Sequence, residues 1–190
     1  MRIYLLGGSS SGKTTLAKTI SRKLQIKKYT LDDFVINQIH IQKGKIDLFS
    51  SDEYLPEVKK LIKQNSWIIE GNTFIKQIAN RADLIIYLQI GLISALFRII
   101  KRFITNENQQ REKFGIRNNL NLVINIFKKY LLPLDLNKIN NPDYRSHKKF
   151  EYLLERFYKN KVVYLKGNYN LNKIQINRFQ KYQDLFLLDS

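Results

Sequence analysis

The chain of 190 residues has no cysteine, only three prolines and two histidines, and 16 acidic residues against 33 basic ones. Without cysteine it can form no disulfide, no thiolate nucleophile and no cysteine-ligated zinc site. His40 and His147 stand alone, with no second histidine or carboxylate at ligand spacing, which argues against a histidine metal site. A cysteine-free composition fits a reducing compartment, and we expect a cytoplasmic protein.

Long apolar runs are also missing. The longest, residues 84–97, is too short to span a bilayer and contains Gln89, Gly91 and Ser94. Residues 1–6 lead directly into the loop described below, so we expect no signal peptide. A hydrophobic content of 44% supports one substantial core, so the sequence predicts a single domain over residues 1–190 with no membrane segment.

Acidic residues are too few to balance the basic ones, and the formal net charge is +17. Such a surplus makes nucleic acid a candidate partner. Residues 1–95 nevertheless hold 14 basic and 8 acidic groups, and residues 96–190 hold 19 and 8, so the charge is spread along the chain. This distribution favours a generally basic surface over a dedicated nucleic-acid-binding face.

Residues 7–14, Gly-Gly-Ser-Ser-Ser-Gly-Lys-Thr, match the phosphate-binding pattern G-x-x-x-x-G-K-[ST] between an apolar strand and a helical pattern. Glycines let backbone N–H groups surround phosphates, and the following helix directs its N-terminal dipole at them. Lys13 can bridge the β- and γ-phosphates and Thr14 can bind Mg²⁺. We therefore expect ATP and Mg²⁺ as cofactors, with the nucleotide held by Gly7, Gly8, Ser9, Ser10, Ser11, Gly12, Lys13, Thr14 and Thr15.

Strand and helix patterns alternate after this loop. The helix is predicted at about 13–24, further strands at 28–31, 67–71, 82–88 and 161–165, and further helices at 52–64, from about residue 94, and at 172–180. This alternation predicts an α/β fold, a three-layer sandwich with a parallel sheet. Ligands in such sheets bind beyond the carboxyl ends of the strands.

Carboxylates follow two of the predicted strands at that edge. Asp32 and Asp33 come after the second strand, where they could hold Mg²⁺ or accept a proton from an acceptor hydroxyl, although a helix N-cap is the structural alternative. Glu70 ends the third strand, the usual position for a second acidic residue that orients Mg²⁺. Asp83 lies at the start of the fourth strand, on the opposite edge, and has no predicted chemistry. We expect Asp32, Asp33 and Glu70 to act in catalysis, and Asp32 and Glu70 with Thr14 in metal binding.

Arginines form a second candidate group. Arg98 and Arg102 are four residues apart on one predicted helix face and could stabilise a transferring phosphoryl group. The polar stretch that follows carries Arg111 and Arg117, and we expect a closing lid at about 103–120 and a helical or loop insertion at about 121–150. A solvated cationic helix face is the alternative.

The sequence resembles the small adenylate-kinase-related proteins often labelled DNA topology modulation proteins. The resemblance covers about residues 1–130 and returns at 162–173, and it is carried by residues 7–15, 31–33, 67–72, 82–86 and 97–102. It implies the nucleoside-monophosphate-kinase fold, with a five-stranded parallel sheet in the order 2-3-1-4-5 and a lid. It also implies that Arg98 and Arg102 contact base and phosphates, and that Gly167 and Asn168 pass the adenine.

The chain departs from that family in two places. Thr73 and Phe74 follow Asn72 where the family commonly has a tyrosine, and residues 88–92, Leu-Gln-Ile-Gly-Leu, replace Leu-Asp-x-Pro-Arg. The first hypothesis is an ATP-dependent kinase of a small molecule, with a nucleotide or nucleoside as the acceptor that the resemblance implies. The alternatives are a nucleic-acid-binding ATPase regulated by nucleotide, and a fold that binds nucleotide without transferring phosphate.

Overall fold

The computed structural model describes residues 1–8, 10–31, 55–104, 124, 133–138 and 147–166 of the chain; the side chains of residues 55 and 99–104 are outside that description. Five strands form one sheet in which every pair is parallel. They are β1 (Arg2–Gly7), β2 (Lys28–Thr30), β3 (Trp67–Gly71), β4 (Leu84–Gln89) and β5 (Val162–Lys166). Their order is β2-β3-β1-β4-β5, which confirms the predicted parallel sheet and its order.

Five α-helices are described in these ranges. They are α1 (Lys13–Leu24), α2 (Leu55–Leu61), α3 (Lys76–Arg81), α4 (Leu92–Ile104) and α5 (His147–Phe157). Short 3-10 turns lie at Leu136–Lys138 and Lys159–Lys161. None of the helices described is long and apolar enough to cross a membrane.

Both faces of the sheet are covered, as the side-chain alternation of β1 shows. Ile3 and Leu5 pack with α1, whereas Tyr4 and Leu6 pack with α2, α3 and α5 on the other face. All four side chains are completely buried. Since burial of a large aliphatic side chain contributes roughly 1.5–3 kcal/mol, the central strand anchors two cores at once. The predicted three-layer sandwich is confirmed.

The carboxyl ends of β1, β3 and β4 meet because parallel strands run in register. Leu6 pairs with Gly71 of β3 and with Tyr87 of β4, so the phosphate loop leaves the sheet between these two neighbours. Tyr4 fixes the turn that follows β3: its hydroxyl donates to the Thr73 carbonyl at 2.6 Å and accepts from the Ile75 N–H at 3.1 Å. This edge of the sheet is therefore built on strands whose side chains are fully buried at Tyr4, Leu6 and Tyr87.

Several element boundaries differ from the sequence predictions. Strand β2 ends at Thr30, one residue early, and β4 begins at Leu84, two residues later than predicted; the Asp83 backbone N–H before it donates to Arg2 O at 2.8 Å. Helix α2 ends at Leu61, before the predicted end at residue 64, while residues 52–54 lie outside the described residues, and α4 starts at Leu92 rather than Ser94. The predicted helix at 172–180, and residues 105–120 of the predicted lid, lie outside the described residues.

Candidate functional site

The loop after β1 has the backbone shape that a phosphate cradle requires. Gly12 precedes α1 with φ 94°, a conformation that favours glycine, and Ser10 has φ 62°. A Cβ on Gly7 would lie 2.7 Å from the Leu88 carbonyl oxygen and 2.8 Å from Ser11 Oγ, so only glycine fits there without displacing a neighbour. Gly7, Ser10 and Gly12 therefore determine the path of the loop. Thr15, also predicted at the nucleotide, is exposed on α1 and does not.

Lys13 crosses over this loop from the first turn of α1. Its Nζ donates to Gly8 O at 2.7 Å and lies 3.5 Å from Ser11 Oγ. The ammonium group is thus held beside the loop's backbone, at the end of α1 where the helix dipole is positive. An anion bound at this point would meet both the full charge of Lys13 and the N–H groups of the helix terminus.

Glu70 and Thr14 come together from different elements, as the sequence predicted. Glu70 is the fourth residue of β3, its side chain is 3% exposed, and its Oε2 accepts a hydrogen bond from Thr14 Oγ1 at 3.1 Å. Hydroxyl and carboxylate oxygens are the ligands that Mg²⁺ prefers. The pair lies directly beside Lys13, since Thr14 is the next residue of α1.

Two residues of β2 complete this cluster, and sequence reasoning missed both. Thr30 Oγ1 donates to Glu70 Oε1 at 3.2 Å, and Lys28 Nζ donates to Thr30 Oγ1 at 2.9 Å while lying 3.6 Å from Glu70 Oε1. The register that pairs Thr30 with Glu70 brings them together from 40 positions apart. Alternation along β2 puts Lys28 and Thr30 on one face, the only signal in the sequence that could have linked them.

Arg98 approaches the loop from the other side. Its NH1 donates to Ser10 O at 3.1 Å, which joins α4 to the phosphate loop across 88 positions. Arg102 lies one helical turn further along α4, and its side chain is outside the description. The structure therefore brings Lys13, Thr14, Glu70 and Arg98 to a single edge of the sheet.

A further cleft of about 610 Å³ lies at the carboxyl ends of β4 and β5, beside α5. Gln89 occupies the position where the resemblance implied an acid, and its Nε2 donates to Glu151 Oε1 of α5 at 2.7 Å. A carboxylate is thus present at this place, supplied by a helix instead of the strand. Burial and the charges of Glu155 and Glu151 raise the pKa of Tyr164, which also lines the cleft, to about 12.

The structure does not describe five of the predicted site residues. Ser9, Asp32, Asp33, Gly167 and Asn168 lie outside the described residues. Asp83 lies at the amino edge of the sheet, where it pairs with Arg2 at 2.6 Å, so its predicted lack of chemistry is consistent with its position. Trp67, the first residue of β3, is completely buried.

The donor set fits a magnesium–nucleotide complex. Within the described ranges no cluster of three or more histidine, aspartate or glutamate side chains could hold a metal alone. Thr14 Oγ1 and the Glu70 carboxylate would instead hold Mg²⁺ together with phosphate oxygens and water, the coordination that this ion favours in nucleotide enzymes. Oxygen donors at the metal and nitrogen donors at the loop are the two halves of such a site.

Fold and site together define the class of protein: an α/β P-loop protein with the strand order 2-3-1-4-5. The chain is similar to solved structures of a sugar kinase from Janibacter sp. HTCC2649 and a gluconokinase from Sinorhizobium meliloti 1021, with identities of 16% and 12% and TM-scores of 0.48 for both. These comparisons cover 98% and 97% of this chain and 96% and 92% of the other chains.

It is also similar to a shikimate kinase from Bacteroides thetaiotaomicron at 20% identity and a TM-score of 0.42, over 68% of this chain and 78% of that one. No protein-family model and no curated protein matches the sequence. The resemblance to the DNA topology modulation proteins is accordingly not confirmed, and the chemistry proposed below rests on the contacts of the site.

Proposed function

We propose that this chain is an ATP-dependent, Mg²⁺-requiring kinase of a small molecule. The observation that carries the proposal is the hydrogen bond of 3.1 Å between Thr14 Oγ1 and the buried Glu70 carboxylate, one residue from a lysine held over a glycine-rich loop. The hydroxyl and the ammonium group of two consecutive residues, together with the Glu70 carboxylate that the hydroxyl contacts, supply the metal and phosphate contacts of phosphoryl transfer.

Each residue has a distinct task in this proposal. The loop backbone and Lys13 bind and orient the β- and γ-phosphates of ATP, while Thr14 and Glu70 hold the metal. Bound Mg²⁺ would neutralise phosphate charge and hold the phosphate oxygens in place. Arg98, held at the loop by Ser10 O, would face the charge that develops on the transferring phosphoryl group.

The acceptor side of the site rests on residues outside the described ranges. We propose that Asp32 or Asp33 orients the acceptor hydroxyl, since both directly follow β2 and Leu31 at the edge where Glu70 lies. Arg102 would join Arg98 at the phosphates, and Gly167 and Asn168, directly after β5, would pass the base. A nucleotide or nucleoside is the acceptor that the sequence resemblance favours, and cytoplasmic ATP would be the donor.

Phosphorylated product is the readout that tests this proposal. The protein is incubated with ATP, Mg²⁺ and panels of nucleoside monophosphates, nucleosides and sugars, with duplex DNA in parallel wells. We expect one acceptor class to give ADP and phosphorylated acceptor in equal amounts, and Lys13→Ala to reduce the rate on the order of 100-fold or more. Lys18→Ala, which removes the same charge from the exposed side of α1, serves as the matched control.

Two results would contradict the proposal. ADP release that only DNA stimulates would indicate a nucleic-acid-dependent ATPase, whose response would fall steeply with salt. A folded Lys13→Ala protein that turned over ATP at the normal rate would show that the loop is not the site of transfer.

A further inference from the structure

Lys28 lies where a cation influences the metal site directly. Its Nζ is 3.6 Å from Glu70 Oε1, on the side of the carboxylate opposite to the Oε2 atom that accepts from Thr14. The same Nζ donates to Thr30 Oγ1 at 2.9 Å, and Thr30 in turn donates to Glu70 Oε1. One ammonium group, one hydroxyl and one carboxylate thus form a chain across β2 and β3.

Burial explains why Glu70 needs this partner. Its side chain is 3% exposed, and a buried carboxylate is costly unless an opposite charge or hydrogen bonds compensate it. Among the described residues the ion pair of Glu70 is with Lys28, whose side chain is 22% exposed. A lysine with a flexible stem can therefore neutralise the carboxylate while its other side remains in contact with water.

The same charge opposes a divalent ion. A metal held by Thr14 Oγ1 and Glu70 Oε2 would share its carboxylate with the ammonium group of Lys28. Two like charges a few ångströms apart repel each other, and the repulsion doubles when one of them is divalent. The phosphates of a nucleotide add enough negative charge to offset it.

We propose that Lys28 is the resident counterion of Glu70 and sets the metal preference of the site, so that it admits a metal–nucleotide complex and discriminates against the free divalent ion. This inference rests on the proposed function, because it assigns the role of Lys28 at the same Thr14–Glu70 pair. It predicts that loss of the Lys28 charge tightens binding of bare metal.

Mn²⁺ is the probe, because its free concentration can be read directly by electron paramagnetic resonance without any turnover. Wild-type protein, Lys28→Met and Lys27→Met are titrated with Mn²⁺ at low ionic strength, first alone and then with ADP, and a protein-free titration gives the Mn²⁺ that ADP binds by itself. Lys27→Met is the matched control: it removes the same charge one residue away, from a lysine that is exposed and lies 5.3 Å from the centre of the Tyr29 ring.

Without ADP we expect Lys28→Met to bind Mn²⁺ about tenfold more tightly than wild type, and Lys27→Met to bind it as wild type does. With ADP the difference in Mn²⁺ affinity between Lys28→Met and wild type should become smaller, since the nucleotide phosphates supply negative charge that offsets the charge of Lys28. Lys28→Arg, which keeps the charge, should behave like wild type, and circular dichroism checks that each variant is folded.

Equal or weaker binding of bare Mn²⁺ by folded Lys28→Met would overturn the inference. Should Lys28→Met not fold, wild-type-like binding by a Lys28→Gln variant would overturn it equally. The proposed function fails separately, if wild-type protein binds no Mn²⁺ in the presence of ADP. A further check uses Glu70→Gln, which removes the proposed carboxylate ligand and should weaken Mn²⁺ binding relative to wild type.

Discussion

Gly7 is the residue at which the phosphate loop leaves the sheet, and it has no room for a side chain. A Cβ would approach the Leu88 backbone oxygen to 2.7 Å, and backbone of a neighbouring central strand cannot give way as a flexible side chain does. Gly91 lies three residues after Leu88. A Cβ added to Gly91 would have no atom within 4 Å. The two glycines therefore form a matched pair.

We predict that Gly7→Ala lowers the free energy of unfolding by about 1–3 kcal/mol and abolishes ADP binding, because the loop must shift to relieve the overlap. Gly91→Ala should change stability by no more than about 0.5 kcal/mol. Urea denaturation and a titration with ADP measure both effects. Equal destabilisation by the two substitutions would show that the contact with Leu88 is not what requires glycine.

At the scale of single residues, candidate site residues can be picked out of the sequence where the signal is local. Lys13 and Thr14 belong to one motif, and Glu70 ends its own apolar strand, so each could be found without knowledge of the fold. Lys28 and Glu151 could not, because their importance depends on which strand or helix they meet: Lys28 lies beside Glu70 only through the register of β2 on β3, and Glu151 meets Gln89 across 62 positions.

Among the elements, β1 and β4 are joined at their amino ends by Arg2 and Asp83. The Asp83 carboxylate accepts hydrogen bonds from the Arg2 backbone N–H at 2.8 Å and from NH2 at 2.6 Å. Burial alone would raise the pKa of Asp83, but the hydrogen bonds and charge of Arg2 hold that pKa below its ordinary value. The pair thus stabilises the fold in its ionised form.

We predict that Asp83→Asn lowers the free energy of unfolding at pH 7 by about 0.5–1.5 kcal/mol, a modest value because both side chains are 32% exposed. A depressed pKa contributes stability above the carboxyl's unfolded pKa, about 4, and this contribution is lost as pH falls through the folded pKa. The gap between wild type and Asp83→Asn should therefore close below about pH 4.

Thermal unfolding from pH 2 to pH 7 measures that gap, with Glu57→Gln as a control for the loss of one exposed negative charge. A gap that stayed constant across the acid range would mean that the ionised carboxylate is not what stabilises this end of the sheet.

Element boundaries could be predicted where a strong motif or a long pattern fixes them. The predicted helix at about 13–24 is confirmed. Its start could be predicted because the loop motif and Gly12 directly precede it. Helix α3 was not predicted. It has only six residues, of which Ile78 and Ala79 are buried, and this is too few for a helical period to be recognised. Helix α5 carried a usable signal, because Phe150 and Leu154 are buried four positions apart.

For the whole molecule, alkaline stability should depend on the packing around β5. Burial and the nearby charges of Glu155 and Glu151 raise the pKa of Tyr164 to about 12, and its hydroxyl is buried without a hydrogen-bond partner among the described residues. The unfolded chain loses this proton near pH 10. The contribution of protonated Tyr164 to the free energy of unfolding is therefore fully present below about pH 10, and it is lost as the pH rises toward the pKa of Tyr164 in the folded protein.

We predict that Tyr164→Phe reduces the loss of stability between about pH 10 and pH 12, and leaves stability at pH 7 unchanged or slightly higher, because an unpartnered buried hydroxyl is removed. Urea denaturation at several pH values gives the difference between the two proteins. The raised pKa of Tyr158 is common to both and cancels in that difference. Identical alkaline curves would contradict the prediction.

The fold class could be predicted because strand and helix patterns alternate along the chain, and the strand order followed from a resemblance carried by a few motifs. The sheet confirms both. Neither composition nor periodicity indicates which strand lies beside which. A buried strand has the same apolar pattern whichever strand it pairs with. Only the pairing itself decides that Glu70 and Leu88 flank the loop.

The central position of β1 also has a consequence for how the chain reaches its folded state. Arg2 pairs with Trp67, and Ile3 pairs with Leu84, so the middle strand must wait for partners 65 and 81 positions further along the chain. Contacts of such long sequence separation slow folding, because the entropy of closing large loops is lost before the contacts form. We therefore expect the phosphate loop to assemble late, and capture of ADP during refolding would report the moment at which the centre of the sheet closes.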